Sequence, residues 1–251
     1  MAQQDPDITA AIQSSGELTL EGAAAKAKEE LDKLMHVTLD IAVTGESGAG
    51  KSSFVNAIRG LSDDDDGAAP TGVTETTMEP TMYLHPTMPN VRIWDLPGIG
   101  TQRFKVKQYI KDVRFNSYDF FIIISSERFK ENDIILAKEI KKNKKNFYFV
   151  HSKTDNDIRT EMRKKGFNEQ DLLLKIREDC ERNLAEFGDC KVFLISSLEV
   201  RKYDFPLLKE TLEKDLPDYK RYALLYLLPS LTSIIFTQSC SNYLNVTKHK
   251  F

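Results

Sequence analysis

No stretch constrains this chain more than residues 38 to 53, Thr-Leu-Asp-Ile-Ala-Val-Thr-Gly-Glu-Ser-Gly-Ala-Gly-Lys-Ser-Ser. Ile41 and Val43 alternate in a short run rich in β-formers. Gly45-Glu46-Ser47-Gly48-Ala49-Gly50-Lys51-Ser52 then fits G-x-x-x-x-G-K-[ST] without a gap. Phe54, Val55, Ala57 and Ile58 follow at helical spacing. Strand, loop and helix is the context in which the pattern becomes a phosphate cradle. The glycines let successive backbone N–H groups converge on one anion. The helix adds its unpaired N–H groups and positive end. Lys51 supplies a mobile charge for the β- and γ-phosphates, and the Ser52 hydroxyl is placed to hold Mg²⁺. Gly45, Glu46, Ser47, Gly48, Ala49, Gly50, Lys51, Ser52 and Ser53 are therefore the candidate phosphate-binding residues.

Three later stretches narrow the nucleotide. Asp95-Leu96-Pro97-Gly98 closes a strand, where Asp95 can hold the Mg²⁺ water shell and the Gly98 N–H can meet the γ-phosphate. Ser152-Lys153-Thr154-Asp155 ends another strand, at the carboxyl edge where open α/β sheets bind ligands. Asp155 can accept both N1–H and N2–H of guanine, and adenine has no such donor pair. Lys153 would lie along base and ribose, with Ser152 opening the segment. Ser196 and Ser197 end the following strand and can offer backbone N–H to guanine O6. Thr71 and Thr77, in a Thr-rich loop, are the candidate hydroxyls that sense Mg²⁺ and γ-phosphate. The order of these motifs, each at a strand end after the phosphate loop, points to GTP and GDP.

The rest of the chain supplies a frame. At 251 residues it has room for one α/β domain of about 170 to 200 residues with appendages. The net charge of −3 gives no footprint for nucleic acid. Cys180, Cys190 and Cys240 are odd in number and lack metal spacing, so they read as free thiols of a reducing compartment. The N-terminal residues carry no signal-peptide pattern and residue 2 is Ala, so the expectation is a cytoplasmic protein without a myristoyl anchor.

The periodicity predicts an amphipathic helix from 16 to 36, strands at 78–85, 91–94, 118–125, 147–150 and 192–195, and helices at 132–142, 171–187 and 205–216. Ile134, Ile135, Ala137 and Ile140 are expected on the inner side of the 132–142 helix. Lys138, Lys141, Lys142, Lys144 and Lys145 outside it read first as solvated surface and second as a site for anionic lipid. Asp63-Asp64-Asp65-Asp66 reads as a solvated loop rather than a metal site. Tyr222 to Phe236 is apolar but shorter than the roughly 20 residues of a spanning helix, and reads first as a buried or membrane-peripheral helix and only second as a membrane span. Alternating strands and helices predict an α/β fold, a mostly parallel sheet covered by helices on both faces.

These residues resemble the GTPase superfamily, and more closely the immunity-related, interferon-inducible GTPases. The likeness rests on Gly-Glu-Ser-Gly-Ala-Gly-Lys-Ser at 45–52, Thr-Gly-Val-Thr-Glu-Thr-Thr-Met-Glu at 71–79 and Trp-Asp-Leu-Pro-Gly-Ile-Gly at 94–100. It extends to Tyr-Asp-Phe-Phe-Ile-Ile-Ile-Ser at 118–125, Lys-Glu-Asn-Asp at 130–133 and Asp-Leu-Pro-Asp-Tyr-Lys-Arg at 215–221. The resemblance implies a Ras-like GTP-binding domain at 37–217, an N-terminal tail and helix at 1–36, and at 218–251 a shortened remnant of a C-terminal helical domain. It also implies homo- or hetero-oligomers through the nucleotide domain, at vacuolar or endoplasmic reticulum membranes, in cell-autonomous immunity.

Two departures stand out: the base segment opens with Ser152 rather than Thr or Asn, and the C-terminal region is short. Ile99 occupies the place where small GTPases carry the Gln that orients the attacking water. Glu75 is accordingly the candidate hydrolytic carboxylate, as the resemblance also implies, with Lys51 and Thr77 completing the catalytic set. Two readings stand at this point, a GTPase that switches oligomeric state and a GTP-binding regulator or decoy that barely hydrolyses.

Overall fold

The computed structural model describes residues 22, 25–26, 38–72, 77–88, 90–99, 106–127, 129–188 and 190–225. Thr38–Glu213 form one compact unit, and the flanking residues cluster separately from it. The expected 16–36 helix lies outside the described residues except at Gly22, Ala25 and Lys26, which are helical. The apolar stretch from 226 onward lies outside them altogether.

Six strands build one sheet in the order β2-β3-β1-β4-β5-β6. They are β1 (Leu39–Gly45), β2 (Thr81–Leu84), β3 (Val91–Asp95), β4 (Phe120–Ser125), β5 (Asn146–His151) and β6 (Val192–Leu194). All neighbours pair in parallel except β2, which runs antiparallel to β3 with Thr81 opposite Asp95. The sheet is thus mostly parallel, as the alternation of elements predicts. Among the described residues of the same unit and its C-terminal extension run the helices α1 (Lys51–Ile58), α2 (Val106–Asp112), α3 (Glu131–Lys142), α4 (Thr154–Glu161), α5 (Glu169–Leu184) and α6 (Phe205–Leu225).

β4 is buried along its whole length, the signature of a strand covered on both sides. Successive side chains alternate between faces. Ala42, Phe121, Ile123, Phe147 and Phe149 join one core cluster with Tyr109 of α2, Leu136, Ala137 and Ile140 of α3, and Cys180 and Leu184 of α5. Ile41, Val43, Phe120, Ile122 and Tyr148 are equally buried on the other face. α1 packs there, its Phe54 ring 6.4 Å from Phe205 of α6.

Several expected elements shift. The strand expected at 78–85 shortens to four residues. The inner row of α3 is Asp133, Leu136, Ala137 and Ile140, an i, i+3, i+4, i+7 set, and Ile134 and Ile135 are only half-buried. The carboxylate at 133 masks that row in the sequence. α6 was expected to end before Pro217 but runs on to Leu225. A helix interior can lose the one hydrogen bond that proline cannot donate when the rest of it is intact. α2 and α4 have no counterpart among the expected elements. Asp63–Asp66 are exposed, with Asp63 and Asp65 turned onto their own loop through Asn56 and the Ser62 N–H.

Candidate nucleotide-binding site

The phosphate loop leaves β1 at Gly45, whose φ of 147° and crowding exclude any side chain. A Cβ there would stand 2.0 Å from the Ile124 carbonyl oxygen of β4. The loop closes on itself as the Ala49 N–H donates to the Glu46 carbonyl at 3.2 Å. α1 begins at Lys51 with no side-chain cap, leaving its first N–H groups directed to the loop's interior. Lys51 is 6% exposed and its Nζ donates to the Glu46 carbonyl at 2.9 Å. A cavity of about 140 Å³ lies over this loop. Ser47, Gly48, Gly50, Lys51, Ser52 and Ser53 line it, with Thr71, Thr77, Gly98 and Lys153 opposite. Gly98 approaches so closely that a Cβ on it would meet Ser47 Cα at 2.6 Å.

Beside Lys51, three oxygen donors converge. Ser52 Oγ donates to Asp95 Oδ2 at 2.6 Å, Thr77 Oγ1 donates to the same oxygen at 3.1 Å, and the two hydroxyls are 3.2 Å apart. Asp95 is 1% exposed, and its Oδ1 has no hydrogen-bond partner among the described residues. Burial pushes its pKa up, opposed by the Ser52 hydrogen bond, the Lys51 charge and Thr77. A buried carboxylate with an orphan oxygen beside two hydroxyls is a hard-cation donor set, and it fits Mg²⁺. Of the two candidate threonines, Thr77 is the one bonded to Asp95, whereas Thr71 lines the cavity.

The base segment is wired into the same loop. Ser152 is 2% exposed and donates from Oγ to the Ala49 carbonyl at 2.6 Å, with the Ser125 carbonyl at 3.2 Å. Lys153 takes a left-handed φ of 58° and reaches back so that Nζ donates to the Gly48 carbonyl at 2.7 Å. Asp155 falls in the first turn of α4, where a carboxylate is favoured by the helix dipole, and is half-buried. Ser196 is fully buried and its Oγ accepts from the Leu198 and Glu199 N–H groups at 3.2 and 3.3 Å, shaping the turn after β6. Asp155 is close enough to Tyr203 to act on its phenol, which burial above all pushes up to about 12. Asp155, Ser196 and Ser197 do not line the phosphate cavity.

Glu75 lies outside the described residues. Ile99 is buried in the main core and its N–H donates to the Gly45 carbonyl, so it buttresses the loop from beneath. The Glu46 side chain turns away from the cavity toward Lys130 and Asn132. Sequence reasoning gave no role to Ser125, Lys130, Asn132 or Asp133, which link the phosphate loop to β4 and α3. Lys-Glu-Asn-Asp at 130–133 was recognisable as a motif, but no spacing rule connects it to a variable position of a phosphate loop.

Comparison with known proteins agrees with this geometry. The family model described as interferon-inducible GTPase (IIGP) matches residues 6–244. The T-cell-specific guanine nucleotide triphosphate-binding protein 2 of Mus musculus is 47% identical over 230 residues, covering 90% of this chain and 55% of that protein. Interferon-inducible GTPase 1 of Mus musculus is 46% identical, over 85% of this chain and 52% of its own length. Immunity-related GTPase family M protein 1 of Mus musculus is 41% identical, over 77% and 47%. The chain spans about half the length of these relatives. A bacterial selenocysteine-specific elongation factor shares the fold with a TM-score of 0.50 at 18% identity, covering 72% of this chain and 29% of that one. With the family model matching most of its length and relatives more than 40% identical, the chain belongs to the interferon-inducible GTPase family.

Proposed function

We propose that this chain binds GTP and hydrolyses it to GDP and phosphate in a Mg²⁺-dependent reaction. The observation that carries the reading is the Ser52–Asp95–Thr77 triangle beside Lys51, a cation site built against a phosphate cradle. Lys51 and the loop N–H groups hold the β- and γ-phosphates. Asp155 takes guanine N1–H and N2–H, Lys153 covers the base, and the turn at Ser196 and Ser197 offers N–H to O6. Ser52, Thr77 and Asp95 would hold Mg²⁺, and the bound ion would supply charge neutralisation to the phosphate oxygens. Glu75 polarises the attacking water, the role Ile99 cannot fill from the core.

Assembly through the nucleotide domain, into homo- or hetero-oligomers that act in cell-autonomous immunity, completes the proposal. The sequence likeness to family members supports it. We place the protein in the cytoplasm, with peripheral association to vacuolar or endoplasmic reticulum membranes. No helix among the described residues is long and apolar enough to cross a membrane. The burial of Ile99 favours a second reading, a GTP-binding regulator or decoy of longer relatives that turns over little nucleotide. GTP turnover per molecule across a hundredfold range of protein concentration, wild type beside Glu75→Ala, separates them. A rate that climbs with concentration and vanishes in Glu75→Ala is expected. A flat, near-zero rate with GTP still bound establishes the regulator.

A further inference from the structure

The phosphate loop contains an acid. Glu46 is the second residue of a loop whose task is to hold a polyanion, yet its carboxylate is neutralised within the chain. Glu46 Oε2 meets Lys130 Nζ at 2.7 Å and Oε1 accepts from Asn132 Nδ2 at 2.8 Å. Lys130 carries a second partner, Glu127, at 2.9 Å. The Glu46–Lys130 pair is half-shielded, with the side chains 26% and 38% exposed, so it is neither a free surface pair nor a fully desolvated one.

Around that pair the hydrogen bonds close a ring. The Lys130 N–H donates to Asp133 Oδ2, the same oxygen accepts from Ser125 Oγ, and the Ser125 carbonyl accepts the Ser152 N–H at 2.7 Å. Ser152 Oγ returns to the phosphate loop at Ala49, whose N–H donates to Glu46. The Glu46 peptide sits at the join, because its carbonyl is also the acceptor for Lys51 Nζ. Burial pushes the Asp133 carboxyl up to about 6, marking a group held there by its partners and not by solvent.

We propose that Glu46 and Lys130 form a charge latch that positions the phosphate loop for a nucleoside di- or triphosphate, Lys130 cancelling the Glu46 charge while holding the peptide that aims Lys51. The latch rests on the reading of the loop as a nucleotide site. Both are positioning residues. If Lys130 is removed, Glu46 is left as an uncompensated anion beside the phosphates, and the repulsion grows with the number of phosphate charges. If both charges are removed together, the repulsion disappears.

The test measures affinity for GMP, GDP and a non-hydrolysable GTP analogue at low protein concentration, with Mg²⁺. Wild type is compared with Lys130→Met, Glu46→Gln, the double variant and Lys130→Arg. Lys130→Met is expected to weaken the triphosphate about tenfold, the diphosphate less and the monophosphate least. The double variant is expected to recover most of that loss, and Lys130→Arg to stay within about threefold of wild type. A loss equal across the three nucleotides, a double variant no better than Lys130→Met, or a Glu46→Gln as weak as Lys130→Met overturns the latch. If Lys130→Met melts too low to assay, Lys130→Gln takes its place in each of these comparisons. If the wild-type chain binds none of the three nucleotides, the nucleotide reading itself falls and takes the latch with it.

Discussion

The two ends of the candidate site are built in opposite ways. At the phosphate end the groups are buried or half-buried and already bonded to one another: Lys51 to its own loop, Ser52 and Thr77 to Asp95, and Gly45 pressed on the Ile124 carbonyl. At the base end Asp155 is half-exposed, Lys153 is exposed, and Leu198 is 79% exposed beyond the Ser196 turn. The folded sheet makes the first end with or without a nucleotide, because its parts are strand termini and core backbone. At the second end Ser152 and Ser196 are buried, but Lys153 and Asp155 reach toward solvent, and a guanine would order those two. Preorganisation is thus concentrated where charge is greatest and rearrangement would cost most.

Breaking the phosphate end should be the more drastic change. Gly45→Ala forces a Cβ into the Ile124 carbonyl and a positive φ on a non-glycine residue, so a loss of stability of about 3 kcal/mol or more is expected in urea unfolding, with no nucleotide retained. Asp155→Asn sharpens the contrast: GTP affinity should fall on the order of a hundredfold while xanthosine nucleotides gain, and the melting temperature without nucleotide should stay put. If GTP binding survives Asp155→Asn, the base end has been misassigned.

Ser152→Ala tests the seam between the ends. It deletes the hydroxyl donating to Ala49, so a loss of about 1 kcal/mol in nucleotide affinity is expected by calorimetry, shared between GTP and GDP. A last contrast concerns pH. Asp133 is raised from 3.8 to about 6 in the folded chain, which therefore holds more protons than the unfolded chain across that interval. Stability contributed by this group is full below about pH 4 and is lost as pH rises through 6. Asp133→Asn should flatten that decline by about 2 kcal/mol in denaturant midpoints taken from pH 4 to 7.

The sequence was most legible where chemistry and periodicity coincide. A G-x-x-x-x-G-K-S run demands strand before and helix after, so β1 and α1 followed from eight residues. The isoleucines of β4 were readable as a buried strand because a two-faced strand needs no polar alternation. Asp95 was placed at a strand end by motif order, and its closeness to Ser52 is the geometry that order implies, but the choice of Thr77 over Thr71 came only with the fold. Other features were closed to pattern reading. α4 is short and mostly polar and presents no apolar stripe, whereas α2 carries one in Val106, Tyr109 and Ile110, continued by Val113, that is too short to stand out beside β4. The inner row of α3 begins with a carboxylate, which reads as surface until Ser125 is seen beneath it. The Glu46–Lys130 pair joins residues far apart in the chain, and only the fold makes them neighbours.

The place of β1 at the middle of the sheet also sets an order in time. It is the first strand in the chain, yet Leu39 pairs with Val91 and Ile41 with Phe120. Two long segments must be made and looped back before the central strand has both neighbours, and such non-local closure slows folding. The phosphate loop inherits that delay, since its first glycine is shaped by Ile124 and its serine–aspartate corner by the end of β3. Nucleotide can therefore select only chains whose sheet has closed, and its stabilising pull acts late, as a clamp on the finished fold and not as a guide to it.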